Sequence, residues 1–381
     1  MKKRNIMKTL FAGTMTLGMA LSVSPAFASE TQEGTPTDPA ELWLVKELNV
    51  APGITKGEQS FTFDFKQTYF NDSTEDLNTH LATNLNQELT VSSTNKISSV
   101  NVLAKAQFPS AGKYTFTVTE DEQNDLTGDG YGLTVSEAEY TVDVYVKNSE
   151  NGLYAYNVIV NKDKDDKGNS DTEGLGKVDP NPEGDKDNSK FKFVNTYTKN
   201  AISENDPDGK ALVIEKLVTG DFGDKTKDFT FEITLDLPNT DSNTNGYTGT
   251  INDSNITFKD NEKQTVSFKH GSKLSFDSLP AGTTYTIVEK GEENYTASAQ
   301  IVSNGESKNK NDGSASTDFS VENILVGADG DNKTTITNNY ANDGYVNPTG
   351  IIINNLPFVL MVVVAGSGLA LYVVSKRRTH Q

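Results

Sequence analysis

The sequence contains no cysteine, a single tryptophan and only three histidines. Without cysteine the chain can form neither disulfides nor thiolate metal sites, so its stability must come from elsewhere. The three histidines, His80, His270 and His380, lie in different parts of the chain, and no glycine-rich phosphate-binding loop is present. We therefore expect no metal, no cofactor and no conventional hydrolase site.

Basic residues are scarce between the ends of the chain. Residues 1–28 hold four Lys and Arg, residues 350–381 hold three, and neither segment holds Asp or Glu. The chain between them carries the remaining 27 of 34 basic residues and all 53 acidic ones, a net charge of −26. This balance argues against nucleic acid or anionic lipid as a partner and suits a soluble extracellular surface.

Long apolar runs occur only at the two ends. Residues 1–28 have a basic start, an apolar middle and "AFA" before Ser29, the pattern of a secretory signal peptide cleaved after Ala28. A polar segment follows at 29–39. Residues 356–374 form a 19-residue apolar run before the basic tail "SKRRTHQ". Such a run is long enough to cross a bilayer core of about 30 Å, and the basic tail places its end in the cytoplasm.

The five residues "VNPTG" precede this apolar run. The motif, the run and the basic tail, which together span 346–381, resemble a sortase sorting signal. The motif consists of Val346, Asn347, Pro348, Thr349 and Gly350. Val346 stands where leucine is common, which leaves the class of sortase open. The resemblance implies cleavage between Thr349 and Gly350 and transfer of the Thr349 carbonyl to an amine.

Alternating apolar and polar residues recur between the ends, in stretches such as "SFTFDF", "KYTFTVTE", "FTFEITLDL" and "TTYTIVE". Polar, turn-rich segments separate these stretches, which is typical of β-sandwiches. The polar linker 200–210 divides the chain into domains at 40–199 and 211–341, and residues 161–190 form a polar insertion in the first. We predict an all-β fold of two tandem β-sandwiches, each large enough to bury a core.

Three strand-like stretches in each domain carry one polar residue on an otherwise apolar face. In "LWLVKEL" the alternation places Lys46 beside Leu42, Leu44 and Leu48, and "LVIEKLV" places Lys216 in the same way. A glutamate and an asparagine follow in the same order in both domains. The six residues are Lys46, Glu120, Asn195, Lys216, Glu289 and Asn338.

The spacing of these residues supports an internal repeat. Lysine and glutamate are 74 residues apart in the first domain and 73 in the second. Glutamate and asparagine are 75 and 49 residues apart, and the difference of 26 is about the size of the insertion 161–190. One inward polar residue could be an accident, whereas six in a repeated order indicate a function.

A buried lysine and glutamate could form a plain ion pair, which adds little stability because desolvation offsets the attraction. That interpretation leaves the asparagine without a role. Burial also lowers the pKa of a lysine and raises that of a carboxyl group, so the neutral amine can act as a nucleophile and the neutral acid can polarise the carboxamide. Because folding would hold amine and amide in contact, we predict loss of ammonia and one Lys–Asn isopeptide bond per domain.

The segments "VKELNV", "YTFTVTE" and "FVNTY" resemble the pilin isopeptide-linkage domain of Gram-positive pilus shafts, the T-antigen or FctA type. The resemblance covers roughly 40–199 and 207–341. It implies Ig-like (CnaB-like) β-sandwiches with an intramolecular Lys–Asn bond and a catalytic glutamate. The implied bonds and acids are Lys46–Asn195 with Glu120, and Lys216–Asn338 with Glu289. Asn339 adjoins Asn338, and the alternation favours Asn338.

Two functional classes fit, and neither is a turnover enzyme. In the first, the chain is the backbone subunit of a sortase-assembled pilus on the cell surface, with sortase, identical subunits, minor pilins and peptidoglycan as partners. In the second, it is a cell-wall-anchored adhesin or tip pilin of the same domain type that is not polymerised. The short chain, with two matched domains and no extra binding module, favours the backbone subunit.

A shaft requires that the Thr349 carbonyl be joined to an exposed lysine of the next subunit, because such a non-closing contact builds a fibre. In the resembling pilins this acceptor lies just upstream of the strand that carries the bonded asparagine. The corresponding segment here is "GDKDNSKFKFVN". The alternation points Lys190 away from the apolar face, which makes it the first candidate, with Lys186 second and Lys147 third.

Overall fold

The computed structural model describes residues 33–75, 77–121, 130–201, 209–241 and 243–340. The predicted signal peptide, sorting motif and C-terminal apolar run lie outside these residues. No helix within the described part of the chain is long and apolar enough to cross a membrane.

Ten strands in two sheets form the first domain. They are β1 Trp43–Val50, β2 Gln59–Phe70, β3 Gln87–Val91, β4 Ile97–Asn101, β5 Gly112–Glu120, β6 Tyr131–Thr134, β7 Glu139–Ser149, β8 Gly152–Lys164, β9 Gly176–Val178 and β10 Lys192–Ala201. One sheet has the order β3-β2-β5-β7-β8-β9, and the other contains β4, β1, β10 and β6. The first and last strands, β1 and β10, are paired in parallel.

Alternating side chains from the two sheets meet in an aromatic core. Every second residue of β5 from Tyr114 onward is buried, and so is every second residue of β10 from Phe193 to Tyr197. The Phe63 ring of β2 lies 5.1 Å from that of Phe193, which joins the two sheets. The inward polar residues of these strands are therefore buried within this core.

Twelve strands form the second domain. They are β11 Leu212–Thr219, β12 Phe229–Asp236, β13 Tyr247–Ile251, β14 Ser254–Phe258, β15 Gln264–Phe268, β16 Lys273–Phe276, β17 Leu279–Pro280, β18 Thr284–Glu289, β19 Tyr295–Ser303, β20 Glu306–Lys310, β21 Phe319–Leu325 and β22 Lys333–Tyr340. Eleven of them form two sheets with the orders β14-β13-β16-β11-β22-β19-β20 and β15-β12-β18-β21, and β17 pairs with β10 of the first domain. The first and last strands are again a parallel pair, and the predicted all-β fold is confirmed.

The two domains meet at the end of β10. Asn200 and Ala201 extend this strand into the predicted linker and pair with Pro280 and Leu279 of β17. Beyond the strand pairing, the backbone N–H of Thr55 donates to Asp329 Oδ2 at 2.8 Å, and Lys199 Nζ lies 3.6 Å from Asp329 Oδ1. The last strand of one domain is therefore hydrogen-bonded to the other.

Candidate functional site: two buried Lys-Glu-Asn clusters

The parallel strand pairs fix each inward lysine relative to an asparagine. In the first domain the partner of Lys46 is Phe193, and Asn195 lies two residues further along β10. The second domain repeats this offset, because Asn338 lies two residues beyond the partner of Lys216 in β22. Since alternate residues of a strand share a face, each asparagine points to the same side as its lysine.

In the first domain one carboxylate joins the two side chains. Lys46 Nζ donates to Glu120 Oε2 at 2.7 Å, and Asn195 Nδ2 donates to Glu120 Oε1 at 2.6 Å. Lys46 and Asn195 are completely buried, and Glu120 is 6% exposed. The Phe61 ring, whose centroid lies 4.3 Å from Lys46 Nζ, covers the amine and excludes water from it. Glu120 therefore bridges the nitrogen that would attack and the nitrogen that would leave.

Two further residues complete the first cluster, and the sequence analysis missed both. The backbone N–H of Ser136 donates to Asn195 Oδ1 at 2.7 Å. The Ser136 hydroxyl donates to Asp166 Oδ1 at 2.6 Å, and the same oxygen accepts the Val194 N–H at 2.8 Å. Asp166 belongs to the polar insertion, and its hydrogen bonds connect this partly exposed segment to the buried cluster.

The second cluster has the same three residue types with a different bonding pattern. Glu289 Oε1 accepts both the Lys216 amine at 2.8 Å and the Asn338 Nδ2 at 2.6 Å. Glu289 Oε2 and Asn338 Oδ1 are buried, and neither has a hydrogen-bond partner among the described residues. Two buried acceptors without a donor are costly, and a proton on Glu289 Oε1 together with a flipped Asn338 amide would give the Asn338 oxygen a donor.

The neighbouring Asn339 points the other way. Its Oδ1 accepts the Thr219 hydroxyl at 3.1 Å, and its side chain is exposed. Asn338 is 2% exposed and contacts Glu289. The structure thus brings Asn338, as the strand alternation predicts, to the buried cluster.

Burial shifts the pKa values of both lysine–glutamate pairs in the direction that favours the neutral amine and the neutral carboxylic acid. It lowers the pKa of Lys46 and of Lys216 to about 8, against the opposing charge and hydrogen bond of the paired glutamate. Burial likewise raises the pKa of Glu120 and of Glu289, with the nearby ammonium opposing. The amine–carboxylic acid form required for nucleophilic attack is therefore accessible in each core.

The three candidate acceptor lysines differ in what their amines contact. Lys190 is exposed, and its Nζ has no hydrogen-bond or salt-bridge partner among the described residues. Lys186 Nζ donates to Asn181 Oδ1 at 2.5 Å and lies 3.8 Å from Glu41 Oε2. Lys147 Nζ lies over the ring of Tyr156. Among the described residues, Lys190 is the one of the three whose amine makes no contact.

The sorting motif 346–350, with Thr349 and Gly350, lies outside the described residues, as does His380. In the part of the chain that the structure does describe, no three His, Asp or Glu side chains are placed to hold a metal ion.

The two domains match two different protein families. Residues 42–198 match the FctA family, described as the Spy0128-like isopeptide containing domain. Residues 210–340 match a different family, the domain of unknown function DUF7601. The first domain is therefore similar to the Spy0128-like isopeptide domains.

Individual relatives include pilus proteins. The pilus tip adhesin Cpa of Streptococcus pyogenes is 38% identical over 104 residues, which is 27% of this chain and 14% of the adhesin. The crystal structure of the major pilin from Streptococcus pyogenes is 22% identical and has a TM-score of 0.33, covering 80% of this chain and 99% of that one. The structure of the pilus-presented adhesin Cpa is 14% identical with a TM-score of 0.26, covering 79% of this chain and 99% of that one.

Proposed function

We propose that this chain is the backbone subunit of a covalently polymerised, sortase-assembled surface pilus, and that each of its domains closes itself with a Lys–Asn isopeptide bond. The observation that carries the proposal is the buried bridge in the first domain, in which one carboxylate contacts both Lys46 and Asn195. The match of this domain to the isopeptide family supports it.

The reaction balances within each cluster. The neutral amine of Lys46 attacks Cγ of Asn195, and Glu120 takes a proton from the attacking nitrogen while giving one to Nδ2. The C–Nδ2 bond then breaks and ammonia leaves, which makes an amide between the two side chains and regenerates the acid. Contact enforced by folding replaces a high reactant concentration, so the step needs no other enzyme and occurs once per domain. The same roles fall on Lys216, Glu289 and Asn338 in the second domain.

The cross-links would close almost the whole of each domain into a loop. The loop from Lys46 to Asn195 contains 150 residues, and the loop from Lys216 to Asn338 contains 123. By analogy with a disulfide, closing loops of this length would stabilise each domain by about 5 kcal/mol in the chain-entropy model. This supplies the covalent stabilisation that a chain without cysteine otherwise lacks.

Polymerisation would join Thr349 of one subunit to a lysine of the next. Lys190 is the proposed acceptor because its amine is exposed and free of contacts among the described residues. The resulting polymer would be held at the cell surface through peptidoglycan. The C-terminal apolar run would anchor each subunit in the membrane only before sorting. The role of the chain is structural, with no turnover chemistry.

The mass of the sortase-free ectodomain tests the cross-links. We expect it to be about 34 Da below the value calculated from the sequence, because two condensations each release ammonia of about 17 Da. An ectodomain of full mass would refute the isopeptide proposal. Polymerisation has a separate test: cells that express the chain with its sortase should yield a ladder of high-mass species that resists boiling in detergent.

The alternative is a tip pilin or cell-wall adhesin with the same domains, which the match to the Cpa adhesin favours. In that case the chain would appear as a single band, or once per fibre, and no ladder of its own multiples would form.

A further inference from the structure

We propose that the backbone N–H of Ser136 is the oxyanion donor of the first cluster and that Asp166 is the positioning residue that holds it there. The inference rests on the proposed isopeptide chemistry and assigns two residues to it. It predicts that the two domains of one molecule form their cross-links at different rates.

The donor is aimed at the atom where charge develops. When the Lys46 amine adds to Cγ of Asn195, the electrons of the C=O bond move onto Oδ1. That oxygen already accepts the Ser136 N–H at 2.7 Å in a buried site. A preorganised donor of this kind costs no reorganisation during the reaction, and its removal from other enzymes slows acyl transfer by about 10²–10³-fold.

Asp166 explains why the donor stays in place. Ser136 lies between the end of β6 and the start of β7, so no strand pairing holds it. Asp166 Oδ1 instead accepts both the Ser136 hydroxyl and the Val194 N–H, which ties the segment to the residue preceding Asn195. Asp166 Oδ2 accepts the Lys162 amine at 3.0 Å, which offsets part of the negative charge that Asp166 brings near the oxyanion.

The second cluster provides the contrast. Asn338 Oδ1 is buried without a donor among the described residues, and Glu289 places both of its contacts on a single oxygen. Its carboxamide can be polarised only by a proton on Glu289, which must also serve the leaving nitrogen. In the first cluster these two tasks are divided between Ser136 and Glu120, so we expect its bond to form faster.

The experiment follows both cross-links in one molecule. The ectodomain is made by cell-free translation with a short label, quenched in denaturant at successive times and digested with trypsin. Mass spectrometry then measures the Lys46–Asn195 and Lys216–Asn338 peptides separately, so the second domain is an internal control for folding. In the wild type the first bond should appear earlier.

Two substitutions of Asp166 test the positioning role. Asp166→Ala should slow the first bond by about 10-fold, since the donor is loosened but not removed. Asp166→Asn should restore most of the rate, because the Asn oxygen can accept the same two hydrogen bonds. Asp171→Ala, an exposed substitution in the same insertion without a side-chain contact among the described residues, is the matched control.

A spectroscopic measurement separates positioning from folding. In a Lys46→Met background, where no bond can form, the Ser136 amide proton should resonate downfield and move upfield when Asp166→Ala is added. An unchanged rate and an unchanged amide shift in Asp166→Ala would overturn the inference, and so would equal slowing of both domains. A wild-type ectodomain of full mass would instead overturn the proposed function.

Discussion

Lys46 and Asn195 occupy diagonal positions of a parallel strand pair and contact opposite oxygens of the same carboxylate. The equivalent lysine and asparagine of the second domain have the same offset. A parallel pair of first and last strands places these two strands side by side, so a single side-chain bond can close almost the whole domain into a loop. The position of the cluster is therefore a consequence of the topology.

Removing the bridging acid should abolish one bond only. After correction for the substitution itself, the Glu120→Ala ectodomain should weigh about 17 Da more than the cross-linked parent, because the first domain retains its ammonia. Without Glu120 no group shuttles the proton that the reaction requires. The loss of about 5 kcal/mol should lower the melting temperature of the first domain by roughly 10–20 °C. Mass spectrometry and calorimetry measure both effects. If Glu120→Ala retains the full deficit of two ammonia molecules, Glu120 has no catalytic role.

Adjacent asparagines allow a matched test in the second domain. In Asn338→Ala the mass deficit relative to the variant's own sequence should shrink by about 17 Da, since the carboxamide that contacts Glu289 is gone. Asn339→Ala should leave the deficit intact, because this residue is exposed and bonded to Thr219. Intact-mass measurement of both variants decides the assignment, and the reverse result would transfer the bond to Asn339.

The lysine pKa predicts how an unlinked domain responds to pH. In Asn195→Ala no bond can form, and the Lys46 pKa stays near 8 when folded, against 10.5 for the unburied side chain. The unfolded chain then binds more protons between these two values, so the free energy of unfolding should rise as the pH rises from about 8 to 10.5. Urea denaturation at several pH values measures this slope.

The control for this experiment is Lys46→Met combined with Asn195→Ala. Surface lysines titrate equally in both proteins, so only the difference between them reports on Lys46. Identical pH slopes in the two proteins would show that burial does not shift the pKa of Lys46.

The acceptor lysine can be tested by a change that keeps its charge. Lys190→Arg retains the positive charge and removes the amine that can be acylated, so polymers should no longer form in cells that contain the sortase. Lys186→Arg and Lys147→Arg are matched controls and should leave the detergent-resistant ladder unchanged. Polymers of normal length from Lys190→Arg would eliminate Lys190 and move the assignment to Lys186.

The strand alternation in the sequence was sufficient to predict the all-β fold and to select the residues that meet in each core. Lys46 and Asn338 were identifiable because a polar residue interrupts an apolar face of period two. Ser136 could not be found in this way, because its contribution is a backbone N–H that any residue except proline supplies. Asp166 lies in a polar stretch without periodicity, where one acidic residue among many gives no signal.

The position of the proposed acceptor also determines which part of the first domain can change. In a fibre joined through Lys190, tension would enter at residue 190 and leave along β10 toward the second domain, so residues 47–189 would bear none of it. A segment added within that stretch would lengthen neither the load path nor the fibre. Residues 161–189 of the polar insertion lie there, so the domain could enlarge or vary its surface without weakening the fibre.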